Sequence, residues 1–421
     1  MREKPPLFSR DLDLTSLDIS PGGQTAILST HNSLPNASPT RSSTMSNSAP
    51  PRQPPKQKLV SLSREVVEAF RPARVFKNTS QTPEEGAEPS SLQISSIAFD
   101  DSGERAVTAG DDDVFILFDA RKGKKLKTLY SKKYGISHAR FTHKSTNIIH
   151  ASTKNDHALR YHSMHDNKYL AYFQGHTATV RSLHMNPVDD TFVSAGDDGT
   201  VRLWDLRMQA CKGLVNDIGG STIAAFDSSG CVFAVACTQN QTVFLFDAST
   251  SDDAPFAHQP LIDHELAKIS APPPRPHFTS IAFSNNGHYL LVGTDRGTHY
   301  ILDAFELNIV RRLEGHVGLG RMSGEEVSWS ADSNYVFSGS GDGSVLVWDM
   351  TPPKGETKLE APRGSPPPTL TPSITLRPPG EGDISPARAV AFNPRYSLLG
   401  VGGQEFSLWL SQSATQVEEG W

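Results

Sequence analysis

The chain has 421 residues, with 46 acidic and 40 basic side chains and a formal net charge of −6, which excludes a broadly basic nucleic-acid binder but leaves local basic patches open. No apolar run approaches the roughly 18 residues of a membrane span, and the opening MREKPPLFSR lacks the apolar stretch of a secretory signal. The three cysteines, Cys211, Cys231 and Cys237, form no C-x-x-C pair, so they argue against a disulfide scaffold or cysteine–zinc site and for a reducing, intracellular setting.

In chain order, the first segment is rich in proline and hydroxyl residues. Residues 1–58 hold nine of the 30 prolines, ten serines and five threonines, with few aromatics. Such a segment cannot bury enough apolar area to offset its ordering entropy, and 1–63 reads as a disordered tail. Residues 66–76, VVEAFRPARVF, precede the first repeat and are expected to supply a strand to the last one.

From there a short apolar segment ending in an aromatic or Leu plus a polar residue recurs. It reads Phe118-Asp119, Tyr161-His162, Trp204-Asp205, Phe246-Asp247, Leu302-Asp303, Trp348-Asp349 and finally Leu408-Trp409-Leu410. The intervals between second positions are 43, 43, 42, 56, 46 and 61 residues. The two long ones contain Pro-rich stretches, 250–277 and 351–383, read as polyproline-like loop insertions. Without them the period is about 40–45 residues, the length of a four-stranded propeller blade.

Each unit reads as strands. Inner strands are expected at Ile94-to-Phe99, Val180-to-Met185, Ile223-to-Phe226, Thr279-to-Phe283, Glu326-to-Ser330 and Ala389-to-Phe392. Small β-friendly strands follow, then tight turns such as Gly196-Asp197-Asp198-Gly199 and Gly341-Asp342-Gly343. No repeat segment sustains a 3.6-residue period. The reading is all-β, a single seven-bladed propeller over 64–411, with 412–421 a C-terminal tail.

Two units carry a Gly-His pair, Gly175-His176 and Gly315-His316. Each imidazole is expected to bond the Asp of the later turn, Asp198 or Asp342. A strand hydroxyl, Ser194 or Ser338, and the indole N–H of Trp204 or Trp348 would continue each network. Buried polar groups must be paired, so the networks fix strand register. A Ser-His-Asp triad is the competing reading, but the set occurs twice at blade spacing with no nucleophile elbow. No residue is assigned a catalytic, metal or cofactor role.

Six histidines crowd 138–165: His138, His143, His150, His157, His162 and His165. Strand alternation points several apart, so solvated or singly bonded rings are expected rather than a metal site. The run Arg121-Lys122-Gly123-Lys124-Lys125-Leu126-Lys127 reads as an outer strand blunting its edge with lysines, or as a basic patch.

With these repeats the chain resembles the WD-repeat family over about 64–411. Leu129-Tyr130-Ser131-Lys132-Lys133-Tyr134-Gly135, His165-Asp166-Asn167-Lys168-Tyr169, Pro187-Val188-Asp189-Asp190-Thr191-Phe192, Leu302-Asp303-Ala304-Phe305 and Phe392-Asn393-Pro394 narrow it. They resemble the WD-repeat subunit of the COMPASS histone-lysine methyltransferase complex, which in fungi also belongs to the cleavage and polyadenylation factor. The leader and the Pro-rich insertions depart from that pattern. The resemblance implies a non-catalytic nuclear scaffold. Its implied partners are the methyltransferase and other COMPASS subunits, cleavage and polyadenylation factor subunits, and the phosphorylated tail of RNA polymerase II. It also implies roles in transcription termination and mRNA 3′-end processing, without sequence-specific nucleic-acid binding.

A phosphorylated tail needs cations on an accessible face. Lys77, Lys132, Lys133, Lys154, Arg296 and Arg321 fall in the loops expected on one face, with Asp111, Asp112 and Asp197 opposing them. Two rival functions stand beside this one. Leu203-Trp204-Asp205-Leu206-Arg207 contains W-D-x-R, similar to the box that docks WD-repeat substrate receptors onto cullin ubiquitin ligases. An enzymatic propeller would need charged residues around the channel, and the inner strands read as mainly apolar.

Overall fold

The computed structural model describes residues 62–77, 93–208, 210–250, 254–320, 324–360, 365–378 and 385–411. Residues 1–61 of the expected 1–63 tail, the expected tail 412–421 and Arg321 lie outside the described residues, as do parts of both insertions.

Seven antiparallel sheets follow one another along the chain. Blade 1 comprises Ile94–Phe99, Arg105–Gly110, Val114–Asp119 and Lys124–Tyr130, running from inner to outer strand. Blade 2 comprises Ser137–Phe141, Asn147–Ala151, Leu159–Ser163 and Lys168–Phe173. Blade 3 is built from Val180–Met185, Thr191–Gly196, Val201–Asp205 and Cys211–Val215, and blade 4 from Thr222–Phe226, Val232–Cys237, Thr242–Asp247 and Ala257–Pro260. Blade 5 holds Phe278–Phe283, Tyr289–Thr294, Thr298–Asp303 and Ile309–Glu314. Blade 6 holds Val327–Trp329, Tyr335–Gly339, Val345–Asp349 and Ile374–Leu376. Blade 7 takes Ala389–Phe392, Leu398–Gly402 and Phe406–Ser411 from the end of the described chain, and its outer strand from the beginning.

That outer strand is Phe70–Phe76, antiparallel to Phe406–Ser411 with Phe70 opposite Ser411 and Phe76 opposite Phe406. Residues Arg64–Glu68 ahead of it form a short helix, so the strand begins four residues later than the sequence suggests. Phe70 is fully buried against blade 6, and Phe76 stacks on Phe406. Joining the two ends of the propeller in one sheet pairs edges that would otherwise be open.

Strand alternation explains the core. Successive side chains point to opposite faces of a sheet. In blade 3, Phe192 and Trp204 pack toward blade 2, whereas Val193, Ala195 and Leu203 pack toward blade 4. The same pattern produces seven apolar clusters, one at each junction between neighbouring blades. Polar staples reinforce the junctions. Ser96, Ser182 and Ser328 on inner strands accept the backbone N–H of Ala139, Ala224 and Phe392 on the next blade. Asn186 and Asn393 donate to the carbonyls of Gly230 and Gly103, glycines held at φ near +70° where a Cβ would collide with the same asparagines.

Two expectations are corrected. In blade 2, Asn147 pairs with Ser163 as Thr191 pairs with Asp205 in blade 3. The Trp-Asp equivalent is therefore His162-Ser163, one residue later than Tyr161-His162. A one-residue slip reverses which face each side chain takes, and Tyr161 carries enough apolar surface to mimic the wrong register. The Pro-rich insertions, read as plain loops, contain the outer strands of blades 4 and 6, because each blade still needs a fourth strand. They also contain Thr369–Leu370, which adds a parallel fifth strand to blade 5 beside Arg312 and Leu313. The inner strands are mainly apolar, as expected, but those of blades 2 and 3 also carry the histidines and arginines of the channel described below.

Candidate partner-binding face

The network in blade 3 is continuous. Trp204 Nε1–H donates to Ser194 Oγ at 2.8 Å, and Ser194 lies 2.7 Å from His176 Nε2. His176 Nδ1 lies 2.9 Å from Asp198 Oδ2. Since the carboxylate only accepts, Nδ1 carries the proton and Nε2 accepts from the serine. Asp198 also accepts the N–H groups of Thr177 and Thr200. Burial opposes its charge, but the His176 N–H and these backbone donors outweigh it and hold the carboxyl well below its ordinary value.

Blade 6 does not repeat this arrangement, which corrects the expected His316–Asp342–Ser338–Trp348 chain. Ser338 Oγ accepts instead from His299 Nε2 of blade 5, at 2.8 Å, while His299 Nδ1 accepts the Thr294 N–H. His316 stacks on His299 at 3.8 Å and donates Nε2–H to the Arg296 carbonyl. Asp342 bonds Ser344, and Trp348 Nε1–H donates to Leu370 O at 3.2 Å. The physical reason lies in the neighbouring blade. Strand pairing places His299 of blade 5 where blade 2 has Leu159, so a second imidazole reaches the hydroxyl first.

Within the histidine-rich stretch, His138, His162 and His165 each bond a single side chain, as expected, whereas His150 and His143 depart from that reading. His150 occupies the position that Ser194 holds in blade 3, is completely buried, and has neither ring nitrogen bonded. It packs among Phe115, His162 and Tyr169, and burial with the adjacent His162 lowers its pKa to about 3. His143 instead joins blades, bonding Asp101 and the carbonyls of Asn186 and Asp189. Among the described residues no group of three or more His, Cys, Asp or Glu is placed to hold a metal ion.

Charged and imidazole side chains line the central channel. His138, Arg140, Arg181 and His184 belong to inner strands, whose channel-facing positions have no sheet to cover them. Glu325 enters from the blade 6 side. Its N–H bonds Ser95 O of blade 1 and its carbonyl accepts the Val390 N–H of blade 7. Its Oε1 lies 2.8 Å from His138 Nδ1 and 2.5 Å from Arg140 Nη2 of blade 2. Burial favours the neutral acid, yet Arg140 and His138 prevail and hold it at about 2. The adjacent Glu326 lacks a cation, and burial raises it to about 8. Internal partners thus neutralise Glu325, and Arg181 pairs with Asp197 at 2.7 Å. The channel mouth opens as a cavity of about 580 Å³, bordered by Ser95, Asp113, His138, Lys154, Arg181 and Arg388.

The expected basic set is split by the fold. Lys132 and Lys133 are exposed on the loop from blade 1 to blade 2, and Lys154 lies beside them. The Asn155 side chain donates to Lys133 O, and the Thr153 and Lys154 N–H groups bond Tyr134 O. Lys154 is ion-paired with Asp113. Lys77 follows the outer strand of blade 7 and Arg296 lies in a turn of blade 5. The acids expected to oppose phosphate are largely matched, Asp111 by Arg388 and Asp197 by Arg181.

One element of this face escaped the sequence reading. The Arg160 side chain is 2% exposed, makes two bonds to Asp156 at 2.9 and 2.7 Å, and lies 3.7 Å from the Tyr134 ring centroid. It props the loop that presents Lys132 and Lys133. Tyr134 and Tyr169 stood in the family-like strings, but nothing in the sequence marked Arg160. Arg207, the last residue of W-D-x-R, folds back onto Asp205 through its Nε and Nη2 at 2.9 and 2.6 Å. Lys124–Tyr130 is the outer strand of blade 1, and Lys127 Nζ donates to the carbonyls of Met164 and His165.

Comparison with known proteins agrees with this architecture. The "WD domain, G-beta repeat" family model matches residues 167–205 and 307–349, the two repeats with both Gly-His and Trp-Asp. The chain is similar to WD repeat-containing protein 82 of Drosophila melanogaster, 33% identical over 354 residues, covering 84% of this chain and 98% of that protein. Set1 complex component swd2 of Schizosaccharomyces pombe is 34% identical over 296 residues, covering 69% of this chain and 78% of the relative. COMPASS component SWD2 of Saccharomyces cerevisiae is 32% identical over 309 residues, covering 73% and 87%. A seven-bladed ring with these repeats, matched along most of its length by such relatives, belongs to the WD-repeat family that includes the Swd2 components of Set1 and COMPASS complexes.

Proposed function

We propose that this chain is a non-catalytic WD-repeat scaffold subunit of a nuclear histone-lysine methyltransferase complex of the Set1/COMPASS type. The observation that carries this reading is its similarity to two Swd2 components across 69% and 73% of its own length. The neutralised channel charges support a scaffold, since their partners are one another rather than a reacting group.

The finer part of the proposal concerns transcription. The chain links the methyltransferase and the mRNA cleavage and polyadenylation machinery to the phosphorylated tail of RNA polymerase II. Lys132 and Lys133 would take the phosphate, with Lys77 and Arg296 contributing only longer-range attraction. The exposure of both lysines and the pairing of Asp111 and Asp197 support this choice, because phosphate pairs strongly with free cations.

Affinity purification of the tagged chain tests the first statement. Recovery of a methyltransferase subunit is expected, together with polyadenylation subunits if both roles are served. Recovery of a cullin adaptor in their place would overturn it. For the second, the Lys132→Glu, Lys133→Glu double variant should lose salt-sensitive binding to phosphorylated tail peptide while keeping the methyltransferase. Undiminished peptide binding at low ionic strength excludes these lysines.

A further inference from the structure

The two Pro-rich insertions meet on blade 5, and each is anchored there by buried polar groups. Asp263, in the connection from blade 4, accepts from Tyr300 Oη at 2.8 Å and from Arg312 Nε at 2.7 Å. All three side chains are buried. From the other insertion, Lys358 Nζ lies 2.8 Å from Asp303 Oδ2, and the Leu359 N–H donates to Tyr289 Oη at 2.5 Å. The buried Asp263–Arg312 pair costs desolvation that a merely lengthened loop has no reason to incur, and it fixes the first segment, while the buried Leu359–Tyr289 bond and the half-exposed Lys358–Asp303 pair hold the second.

Between these anchors lies a cleft of about 470 Å³ on the outer wall of the ring, where blades 4 and 5 adjoin. Ile262 and the half-buried Ile309 give it its apolar surface, Leu307 lying buried beneath them, and Glu306 and Glu360 give it carboxylates. Ile262 is 59% exposed, and two nearby apolar side chains in the same segments are more so, Phe305 at 72% and Ile269 at 68%. The lysine of the cleft, Lys358, is matched by Asp303, so among the described residues the charges of the cleft without an ion pair are the exposed carboxylates of Glu306 and Glu360. An exposed apolar side chain set in a polar, acidic cleft suits an amphipathic partner, and anchoring of the walls lowers the entropic cost of binding it.

We propose that this cleft docks a segment of a partner protein that carries an apolar anchor residue flanked by Lys or Arg. The apolar side chain rests on Ile262 and Ile309, and the flanking cations face Glu306 and Glu360. The site is separate from Lys132 and Lys133, which belong to blades 1 and 2, and serves a different chemistry.

The probe is a panel of synthetic peptides with Leu or Phe flanked by Lys or Arg, measured by fluorescence anisotropy on the full chain. Matched controls replace the cations by Glu or the anchor by Ser, and photo-crosslinking maps the bound peptide. Members of the panel should bind, crosslink near Phe305 or Ile262, and weaken about tenfold with Glu306→Lys, Glu360→Lys, as electrostatic complementarity requires. Ile262→Ser, an exposed change that spares the fold, should weaken them comparably, whereas Lys132→Glu, Lys133→Glu should not. The proposal is overturned if no panel member binds, if the acidic controls bind as well, or if neither cleft variant changes affinity.

Discussion

His299 Nε2 lies 2.8 Å from Ser338 Oγ, across the junction between blades 5 and 6. The hydroxyl that serves a histidine of the preceding loop in blade 3 serves one from the neighbouring sheet in blade 6. Register within a blade and adhesion between blades therefore draw on the same polar groups.

This difference separates two tryptophans. Trp204→Phe removes the N–H that holds Ser194 in a closed network, at a cost on the order of 1–3 kcal/mol. His176→Ala should cost a similar amount, and the double variant less than their sum, because both act through Ser194. Trp348→Phe and His316→Ala share no hydrogen-bonded group, Trp348 donating to Leu370 O and His316 to Arg296 O, so their coupling should be smaller and confined to the edge-to-face contact of the two rings, 6.3 Å between centroids. Denaturant melts of the two double-mutant cycles decide it; strict additivity in the first would remove the shared network.

Ring closure is equally testable. A chain beginning at Arg64 keeps Phe70–Phe76, and one beginning at Asn78 lacks it. The longer form should melt cooperatively, while the shorter should unfold or aggregate with two sheet edges bared. Phe70→Ala, at a fully buried position, should cost about 3–5 kcal/mol. Equal melting temperatures for the two truncations would refute closure by this strand.

Acid sensitivity follows from the buried histidines. His150, His162 and His316 have values lowered to about 3, 4 and 4, in each case chiefly by burial. Each is held neutral in the native state but charges readily in the unfolded chain, near 6.5. Their contribution is complete above pH 6.5 and is lost as pH falls toward 4. Glu326 acts in the opposite direction, because its raised value, about 8, favours the proton-bound native state as pH falls. Calorimetry at pH 7 and 5 should show a lower melting temperature in acid. His150→Phe should flatten that slope and Glu326→Gln should steepen it.

Much of the architecture is local and so legible in sequence. Alternation with period two, turn residues and a repeat near 43 residues are properties of neighbouring positions, and they determine seven blades, the inner strands and the blade 3 network. Blade 2 was misread by one residue because His162-Ser163 carries neither the indole nor the carboxylate that marks the register elsewhere. Contacts between blades left no local trace. His299 reaching Ser338, Arg160 beneath Tyr134, and Asp263 pinned by Arg312 join residues 39, 26 and 49 positions apart. Glu325 binding Arg140 spans 185. By itself the sequence determined which side of each strand is apolar outside blade 2, because burial acts residue by residue. Only the tertiary structure decided which polar groups meet, because a hydrogen bond depends on ångström-scale placement by sheets distant along the chain.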